Sequence, residues 1–217
     1  MIRVGSRPSK LALLQVDEIF AALSRFHPDT AFEKTIFQTP GDLDKVSSLR
    51  PMSKDDFFTR ELDEALLEGE IDIAIHSAKD LPDPLPQGLK IVALTHSIDP
   101  RDALVLQKEM AHGMVIATSS ENREKNVRAL GYEVNFTDVR GTIQERLALV
   151  EKGEVDGVVI AEAALIRLSL THLNRLYLPG ETTPLQGCLA VLAHENHSKM
   201  EDLFECINQR SVCSTPA

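Results

Sequence analysis

One segment of the chain places chargeable side chains directly after a strand pattern. Apolar residues alternate with smaller or polar ones from Ile71 to Ile75, which is the two-residue period of a β-strand. Pro82 cannot continue a strand ladder, so Lys79 and Asp80 fall where the strand ends. An isolated pair of this kind is also typical of a solvated loop with an incidental ion pair. Because open α/β sheets bind ligands at the carboxyl ends of their strands, we interpret the pair as a candidate ligand site.

Arginines occur at several of the predicted element boundaries. Helix N-termini present free amide hydrogens, and a guanidinium beside them can bind a carboxylate through two parallel hydrogen bonds. The pattern therefore predicts binding of carboxylates. Taken singly, each arginine is more typical of a surface ion pair, and Arg167 most of all, because a cation often ends a helix. The residues concerned are Arg7, Arg123, Arg140, Arg146 and Arg167.

Three further polar motifs carry weaker signals. The run from Thr118 to Ser120 is typical of a helix N-cap. The run from Gln186 to Cys188 is typical of a turn before a strand, with Cys188 as a small buried residue. A histidine such as His76 is suited to general base chemistry, but at a strand end it is more often hydrogen-bonded to the backbone, and we interpret it so.

Composition and charge narrow the classes of function. The chain has 217 residues, of which 43% are hydrophobic and 26% are charged, as in an ordinary globular protein. No apolar run is long enough to cross a bilayer, and residues 1–7 lack the apolar stretch of a signal peptide. A net charge of −10 argues against a nucleic-acid surface, because binding to phosphates needs a cationic face. We therefore expect a protein of the cytoplasm that binds neither a membrane nor a nucleic acid.

The cysteines predict neither a metal site nor a disulfide framework. There are three, Cys188, Cys206 and Cys213, and their spacing matches no pattern of metal ligands. An odd count also argues against structural disulfides. We expect no bound metal, with Cys206 in the core and Cys213 in a polar tail.

Strand and helix patterns alternate in two successive blocks, which predicts two α/β lobes. A last strand and helix, at Leu189–Ala193 and Lys199–Gln209, can return to the first block. We therefore predict a first lobe of residues 1–98 plus 189–217 and a second lobe of residues 99–188. Lobes with mixed sheets, hinged around a central cleft, are the layout of periplasmic binding proteins, and some enzymes share it.

Local signals place the candidate residues on this framework. In the first block they predict a helix capped by Ser9, a turn at Thr39–Asp42, a helix at Asp55–Glu68 and a strand at Leu89–Leu94. In the second block they predict strands at 103–106, 114–117, 134–139 and 155–160, and helices at 121–130, 143–152 and 161–168.

Several longer motifs occur together along the chain. They are Arg3 to Leu13, Phe58 to Leu67, His76 to Pro82, Asp99 to Ala103, Thr118 to Ser120, and Val139 to Leu147. In their residues, order and spacing they resemble the porphobilinogen deaminase family, also called the hydroxymethylbilane synthase family. The resemblance covers nearly the whole chain.

The resemblance implies a transferase of porphyrin and heme biosynthesis. The family joins porphobilinogen units head to tail into a linear tetrapyrrole and releases ammonia at each step. The product grows on a covalently held dipyrromethane cofactor. We expect a monomer whose partner is the small molecule porphobilinogen.

The resemblance also implies roles for residues. Asp80 matches the catalytic carboxylate, which can stabilise the cation left by loss of ammonia and relay a proton. The resemblance further implies that a larger set of residues binds the acetate and propionate side chains of cofactor and substrate. Its members are Arg7, Ser9, Ser77, Lys79, Thr118, Ser120, Arg123, Arg140, Arg146, Arg167 and Gln186.

The chain departs from the family pattern at four places. Asn122 stands where the family has the first of two adjacent arginines, and Leu185 replaces a glycine in a Gly-Gln-Gly turn. Asp55 stands at the position of a loop lysine, with Lys54 beside it. The motifs end after the second lobe, so we expect this sequence to lack the family's third domain, with the cysteine that carries dipyrromethane. Cys188 follows a similar glycine-containing turn, so it is the candidate for cofactor attachment.

Two functions from different classes stay open at this point. The first is an enzyme of the hydroxymethylbilane synthase type that lacks the third domain. The second is a two-lobed protein that binds a polycarboxylate pyrrole ligand with impaired catalysis, and Asn122 and the missing domain favour it. Lys79 beside Asp80 favours the enzyme, because simple capture of an anion does not need an acid in the site.

Overall fold

The structure is a computed structural model that describes residues 1–44 and 56–209. Its strands are β1 (Ile2–Ser6), β2 (Phe32–Ile36), β3 (Ile73–Ser77), β4 (Leu89–Leu94), β5 (Asp102–Leu106), β6 (Val115–Ala117), β7 (Asn135–Thr137), β8 (Gly157–Ala161), β9 (Arg175–Tyr177) and β10 (Leu189–His194). Its helices are α1 (Lys10–Leu23), α2 (Pro40–Leu43), α3 (Arg60–Leu67), α4 (Glu121–Arg128), α5 (Ile143–Glu151), α6 (Glu162–Arg167) and α7 (Ser198–Phe204).

The described residues divide into two compact units. The first contains residues 1–43, 56–98 and 187–209, and the second contains residues 99–186 together with Asp44. The chain therefore enters the second unit at Asp99 and returns to the first at Gly187. The predicted second lobe ends at residue 188, whereas the second unit ends at Gln186. Cys188 therefore belongs to the first unit.

The first unit is built on a five-stranded mixed sheet with the order β2-β1-β3-β10-β4. Strand β1 pairs in parallel with β2 and β3, whereas β10 runs antiparallel to β3 and β4. Although β10 comes from the last part of the described chain, it lies inside the sheet, and all its residues except His194 are buried.

Helix α1 packs against this sheet because its apolar residues recur at helical spacing. Ser9 begins the helix, and its side-chain oxygen accepts a hydrogen bond from the amide of Ala12. Val16, Ile19 and Leu23 are fully buried in one core with residues of β1, β3, β10 and α7. Burial of each of these side chains contributes about 1.5–3 kcal/mol to stability.

The second unit has an equivalent five-stranded sheet with the order β7-β6-β8-β5-β9. Strand β6 pairs in parallel with β7 and β8, whereas β5 runs antiparallel to β8 and β9. Leu104, Ile116 and Val159 come from three neighbouring strands and share a core with Val127 of α4. The two sheets confirm the predicted α/β class with mixed sheets.

One local prediction about the first unit is wrong. The predicted turn at Thr39–Asp42 instead opens helix α2. Proline suits the first position of a helix, and Pro40 occupies it. The carboxylate of Asp42 accepts a hydrogen bond from the amide of Thr39, which stabilises this first turn.

Two other elements differ from the sequence prediction. The helix expected over 55–68 is interrupted, because a 3-10 turn at Asp56–Phe58 precedes α3. Strand β9 has only three residues, too few to show a period in the sequence, and it was not predicted.

Candidate active site

The carboxyl ends of β1 and β3 meet at one edge of the first sheet. The chain leaves β1 for β2 on one side and later returns to β3 on the other, so the strand order reverses here. Open α/β sheets bind ligands at such switch points. A pocket lies at this edge, and its polar lining includes Arg7, Ser9, Gln15, Ser77 and Asp80. Four of these five residues were assigned to one site from the sequence.

Gln15 is the residue of this lining that sequence reasoning missed. It is buried on α1 and donates a hydrogen bond from Nε2 to the Oγ of Ser77, at 2.9 Å. Because Ser77 ends β3, this bond joins the helix to the carboxyl end of the strand. A polar residue within the apolar stripe of α1 is the signal that could have identified Gln15.

Asp80 ends a short 3-10 turn, Ala78–Asp80, that follows β3 directly. The amide of Ala78 donates to the carbonyl of Cys188 at 3.0 Å, which joins the turn to the residue before β10. Asp80 is exposed and lines the pocket, so its carboxylate is accessible to a ligand. Lys79 is half-buried and lies outside the described lining of this pocket.

Arg7 is held on two sides. Its Nε lies 3.1 and 3.2 Å from the two carboxylate oxygens of Asp42, and its Nη2 also donates to Asp42. The guanidinium carbon lies 4.7 Å from the centre of the Phe58 ring, a cation–π contact. Burial opposes ionisation of Asp42, but its hydrogen bonds and the charge of Arg7 hold its pKa below the ordinary value.

His76 is a buried imidazole in the lining of the same pocket. Its Nε2 has no hydrogen-bond partner among the described residues, so the interpretation of a backbone-bonded histidine is wrong for this nitrogen. Burial, together with the charge of Arg7, lowers the pKa of His76 to about 4. The imidazole is therefore neutral near pH 7 and adds no charge to the pocket.

The second unit has the corresponding edge at the carboxyl ends of β6 and β8, where its strand order also reverses. Thr118 and Ser120 follow β6, and Ser120 caps α4 by accepting from the amide of Arg123. Nη2 of Arg123 lies 2.6 Å from Oδ1 of Asp102, and its Nη1 lies 3.4 Å from the carbonyl oxygen of Val159. Asp102 is 1% exposed, so Arg123 already binds a buried internal carboxylate.

Gln186 supports the same carboxylate. Its Nε2 lies 3.0 Å from Oδ1 of Asp102 and 2.8 Å from the carbonyl oxygen of Pro100. Gln186 is buried, and its contact with a ligand stays a prediction. Asn122, which replaces an arginine of the family pattern, donates to the carbonyl of Glu181 at 2.8 Å.

The other predicted arginines also lie in the second unit. Arg140 donates to the carbonyl of Asp44 at 2.7 Å, and Arg146 donates from Nε to the carbonyl of Gly141 at 2.9 Å. Arg167 ends α6, where a cation complements the helix dipole. All three arginines are half-buried, and their contacts with a ligand stay predictions.

The described residues include two of the three cysteines, Cys188 and Cys206, and these two form no disulfide with each other. Cys188 is 4% exposed, so its attachment to a cofactor stays a prediction that requires the sulfur to become accessible. Cys206 is half-buried, and burial raises the pKa of its thiol. Cys213, Lys54 and Asp55 lie outside the described residues.

The described residues offer neither a metal-binding cluster nor a membrane-spanning helix. In residues 1–44 and 56–209, no cluster of three or more His, Cys, Asp or Glu side chains is placed to hold a metal ion. None of the helices in this part of the chain has the length and apolar character needed to span a membrane.

Comparison with known proteins identifies the family. A family model described as porphobilinogen deaminase, dipyromethane cofactor binding domain, matches residues 2–202. The chain belongs to the porphobilinogen deaminase family. This confirms the predicted family, the transferase activity of the hydroxymethylbilane synthase type, the place in porphyrin and heme biosynthesis, and dipyrromethane as the cofactor.

Relatives from this family match nearly all of the chain. The porphobilinogen deaminase of Clostridioides difficile is 33% identical, over 97% of this chain and 73% of its own. That of Synechococcus elongatus is 40% identical, over 95% and 68% respectively. The probable porphobilinogen deaminase of Chlamydia muridarum is 38% identical, over 94% and 85% respectively.

Solved structures of periplasmic binding proteins share the fold. The probable amino-acid ABC transporter extracellular-binding protein ytmK of Bacillus subtilis matches with a TM-score of 0.54 at 13% identity, covering 94% of this chain and 89% of that chain. The periplasmic aliphatic sulphonate binding protein SsuA of Escherichia coli matches with a TM-score of 0.51 at 15% identity, covering 94% and 68%. These matches confirm the predicted periplasmic-binding-protein-like fold.

Neutral His76 predicts a specific loss of stability in acid. The unfolded state binds a proton near pH 6.5, whereas the folded state binds it only near pH 4, so the free energy of unfolding falls as the pH drops through this window. His76 alone should lower the free energy of unfolding by about 3 kcal/mol between pH 7 and pH 4. We expect His76→Gln to lose about this much less stability than wild type between pH 7 and pH 4, measured by urea denaturation at both pH values. Equal losses would show that the folded protein protonates His76 freely.

Proposed function

We propose that this chain condenses porphobilinogen stepwise into a linear tetrapyrrole, with Asp80 as the catalytic carboxylate. The pocket at the switch point of the first sheet carries this proposal, because an accessible carboxylate, a fixed guanidinium and hydroxyl groups line one space. Porphobilinogen offers complementary groups, namely a pyrrole N–H, a cationic aminomethyl group and two carboxylates. The family of the chain and the chemistry of the pocket therefore agree.

In this proposal, the carboxylate of Asp80 stabilises the positive charge that develops during the reaction. When the C–N bond of the aminomethyl group breaks, its electron pair leaves with ammonia, and an azafulvenium cation remains. A fixed carboxylate beside the pyrrole nitrogen stabilises this cation. After the new C–C bond has formed, the attacked ring loses a proton, and the same carboxylate can relay it.

Two serines of the pocket have hydroxyl hydrogens to offer a carboxylate. The oxygen of Ser9 accepts from the amide of Ala12, and the oxygen of Ser77 accepts from Gln15. A hydroxyl that accepts one hydrogen bond still has its own O–H to donate. Because internal donors already fix both oxygens, we propose that these hydroxyls donate to an acetate or propionate group of the ligand, together with Arg7.

The second unit supplies the further cations in this proposal. We propose that its predicted residues bind the remaining carboxylates of substrate and cofactor, since each ring added brings two more anionic groups. Arg123 supports this, because it lies at the switch point of the second sheet, where a ligand site is expected. The set is Thr118, Ser120, Arg123, Arg140, Arg146, Arg167 and Gln186, and Lys79 of the first unit joins it.

The first pocket also fits the dipyrromethane cofactor. The pyrroles of this group carry the same N–H and carboxylate groups as the substrate, so Arg7, Ser9, Ser77 and Asp80 would hold it. When bound, the cofactor supplies the pyrrole to which the first substrate unit is joined. We propose Cys188 as the attachment residue, because it adjoins the turn that carries Asp80.

We also propose that the enzyme is a cytoplasmic monomer that binds no nucleic acid. The net charge of −10 disfavours contact with phosphates, and the two described cysteines form no disulfide with each other, as in a reducing compartment. Size-exclusion chromatography with light scattering should give the mass of one chain, 24.0 kDa. Twice this mass would contradict the monomer.

Asp80→Asn should strongly reduce turnover without unfolding the protein. We expect kcat to fall by about 100-fold or more, because the amide cannot stabilise the cation or relay a proton. Release of ammonia and formation of the tetrapyrrole measure turnover, and circular dichroism checks the fold. Asp83→Asn is the matched control, since Asp83 is also exposed but lies outside the described lining of the pocket. Full activity of Asp80→Asn, or no product from wild type after loading with cofactor, would contradict the proposal.

Attachment at Cys188 predicts a mass change. Intact mass spectrometry of the wild type should show the sequence mass plus one dipyrromethane. We expect Cys188→Ser to lose this increment and Cys206→Ser to keep it, because a thioether bond needs the sulfur. An increment that persists in Cys188→Ser and disappears in Cys213→Ser would move the attachment to the other cysteine.

A further inference from the structure

The guanidinium of Arg7 has two edges that can bind a carboxylate, and they have different surroundings. Asp42 occupies the edge formed by Nε and Nη2. The edge that carries Nη1 makes no hydrogen bond to any described residue. Because Arg7 lines the pocket, one edge is held by the protein and the other is left for a ligand.

Asp42 is itself held in place before any ligand arrives. Its Oδ2 accepts from the amide and the hydroxyl of Thr39, at 3.1 and 3.0 Å, and its side chain is 13% exposed. The face of the guanidinium is covered by Phe58. The ring of Phe58 packs over Gly41, where a Cβ would come within 2.2 Å of it, so this cover needs a glycine. Arg7 is therefore confined along one edge and one face.

The second unit repeats this arrangement. Asp102 is almost fully buried and holds Nη2 of Arg123, and Gln186 fixes the carboxylate. In both sheets an internal carboxylate thus holds an arginine at the edge where the strand order reverses. The recurrence at equivalent positions indicates a function in the site rather than an incidental ion pair.

We propose that Asp42 is a positioning residue of the active site, which fixes Arg7 so that its free edge binds one carboxylate of porphobilinogen. This rests on the proposed function. Confinement of a guanidinium before binding lowers the entropy lost on binding, so it strengthens the contact. Displacement of Asp42 by the substrate would leave a largely buried carboxylate without its cation, which is unfavourable. Asp42 therefore stays bound to Arg7 during turnover.

The test compares steady-state kinetics of wild type, Asp42→Ala and Asp72→Ala with porphobilinogen. We expect Asp42→Ala to raise KM about ten-fold and to change kcat by less than about three-fold, because binding is weakened while Asp80 is intact. Asp72 is the matched control, because it holds Arg3 with the same two-nitrogen geometry but near the amino ends of β1 and β3. Asp72→Ala should leave KM unchanged.

A double mutant shows whether Asp42 acts through Arg7. In an Arg7→Gln background, Asp42→Ala should change KM by less than about two-fold, because the group that it positions is gone. Asp42→Asn keeps an acceptor for Nε and should fall between wild type and Asp42→Ala, and it replaces Asp42→Ala if that variant does not fold. Unchanged or lowered KM in Asp42→Ala, or a full ten-fold effect in the Arg7→Gln background, would overturn the proposal.

Failure of the proposed function can be told apart from failure of this inference. If wild type does not consume porphobilinogen, the proposed function fails, and calorimetric binding of porphobilinogen then decides the role of Asp42. A dissociation constant about ten-fold weaker for Asp42→Ala than for wild type would support positioning. Equal constants, or no binding to wild type, would overturn it.

Discussion

An ion pair between an arginine and an internal carboxylate lies where the strand order reverses in each sheet, and the geometry of the proposed site depends on it. In the first unit the pair is Arg7 with Asp42, and in the second it is Arg123 with Asp102. A guanidinium on a long side chain is otherwise free to adopt many rotamers. The internal carboxylates restrict this freedom, so both guanidinium groups of the proposed site are held in place without a ligand.

The first pocket also depends on the close approach of β1 to its neighbours. Gly5 of β1 pairs with Ala74 of β3, and a Cβ at position 5 would come within 2.4 Å of the Ile71 side chain. A larger residue at this position would force the side chains of Ile71 and Leu62 to move. Arg7 follows two positions later and lines the same pocket as Ser77 and Asp80.

Much of the fold and part of the site could be predicted from the sequence, because they rest on local patterns. The alternation of apolar residues marks β3, and the spacing of Val16, Ile19 and Leu23 marks α1. The sequence patterns correctly place Arg7 and Asp80 just after the ends of β1 and β3. The structure brings both residues into the lining of one pocket.

The partners of the arginines could not be predicted in this way. Asp42 lies 35 positions from Arg7, and Asp102 lies 21 positions before Arg123, so no helical or strand period connects them. Asp102 even belongs to one of the motifs that indicated the family, yet nothing in its sequence surroundings assigns it a partner. Such pairs exist only once the sheets have formed, and the same holds for the burial that keeps His76 neutral.

The central position of β10 in the first sheet determines which unit can be completed first during protein synthesis. Strand β4 reaches β3 only through β10, which the ribosome makes after the whole of the second unit. The nascent second unit therefore has all of its strands while the first still lacks an inner one. Until residues 189–194 emerge, β3 and β4 each present an unpaired backbone edge, and the turn that carries Asp80 lacks its anchor at Cys188.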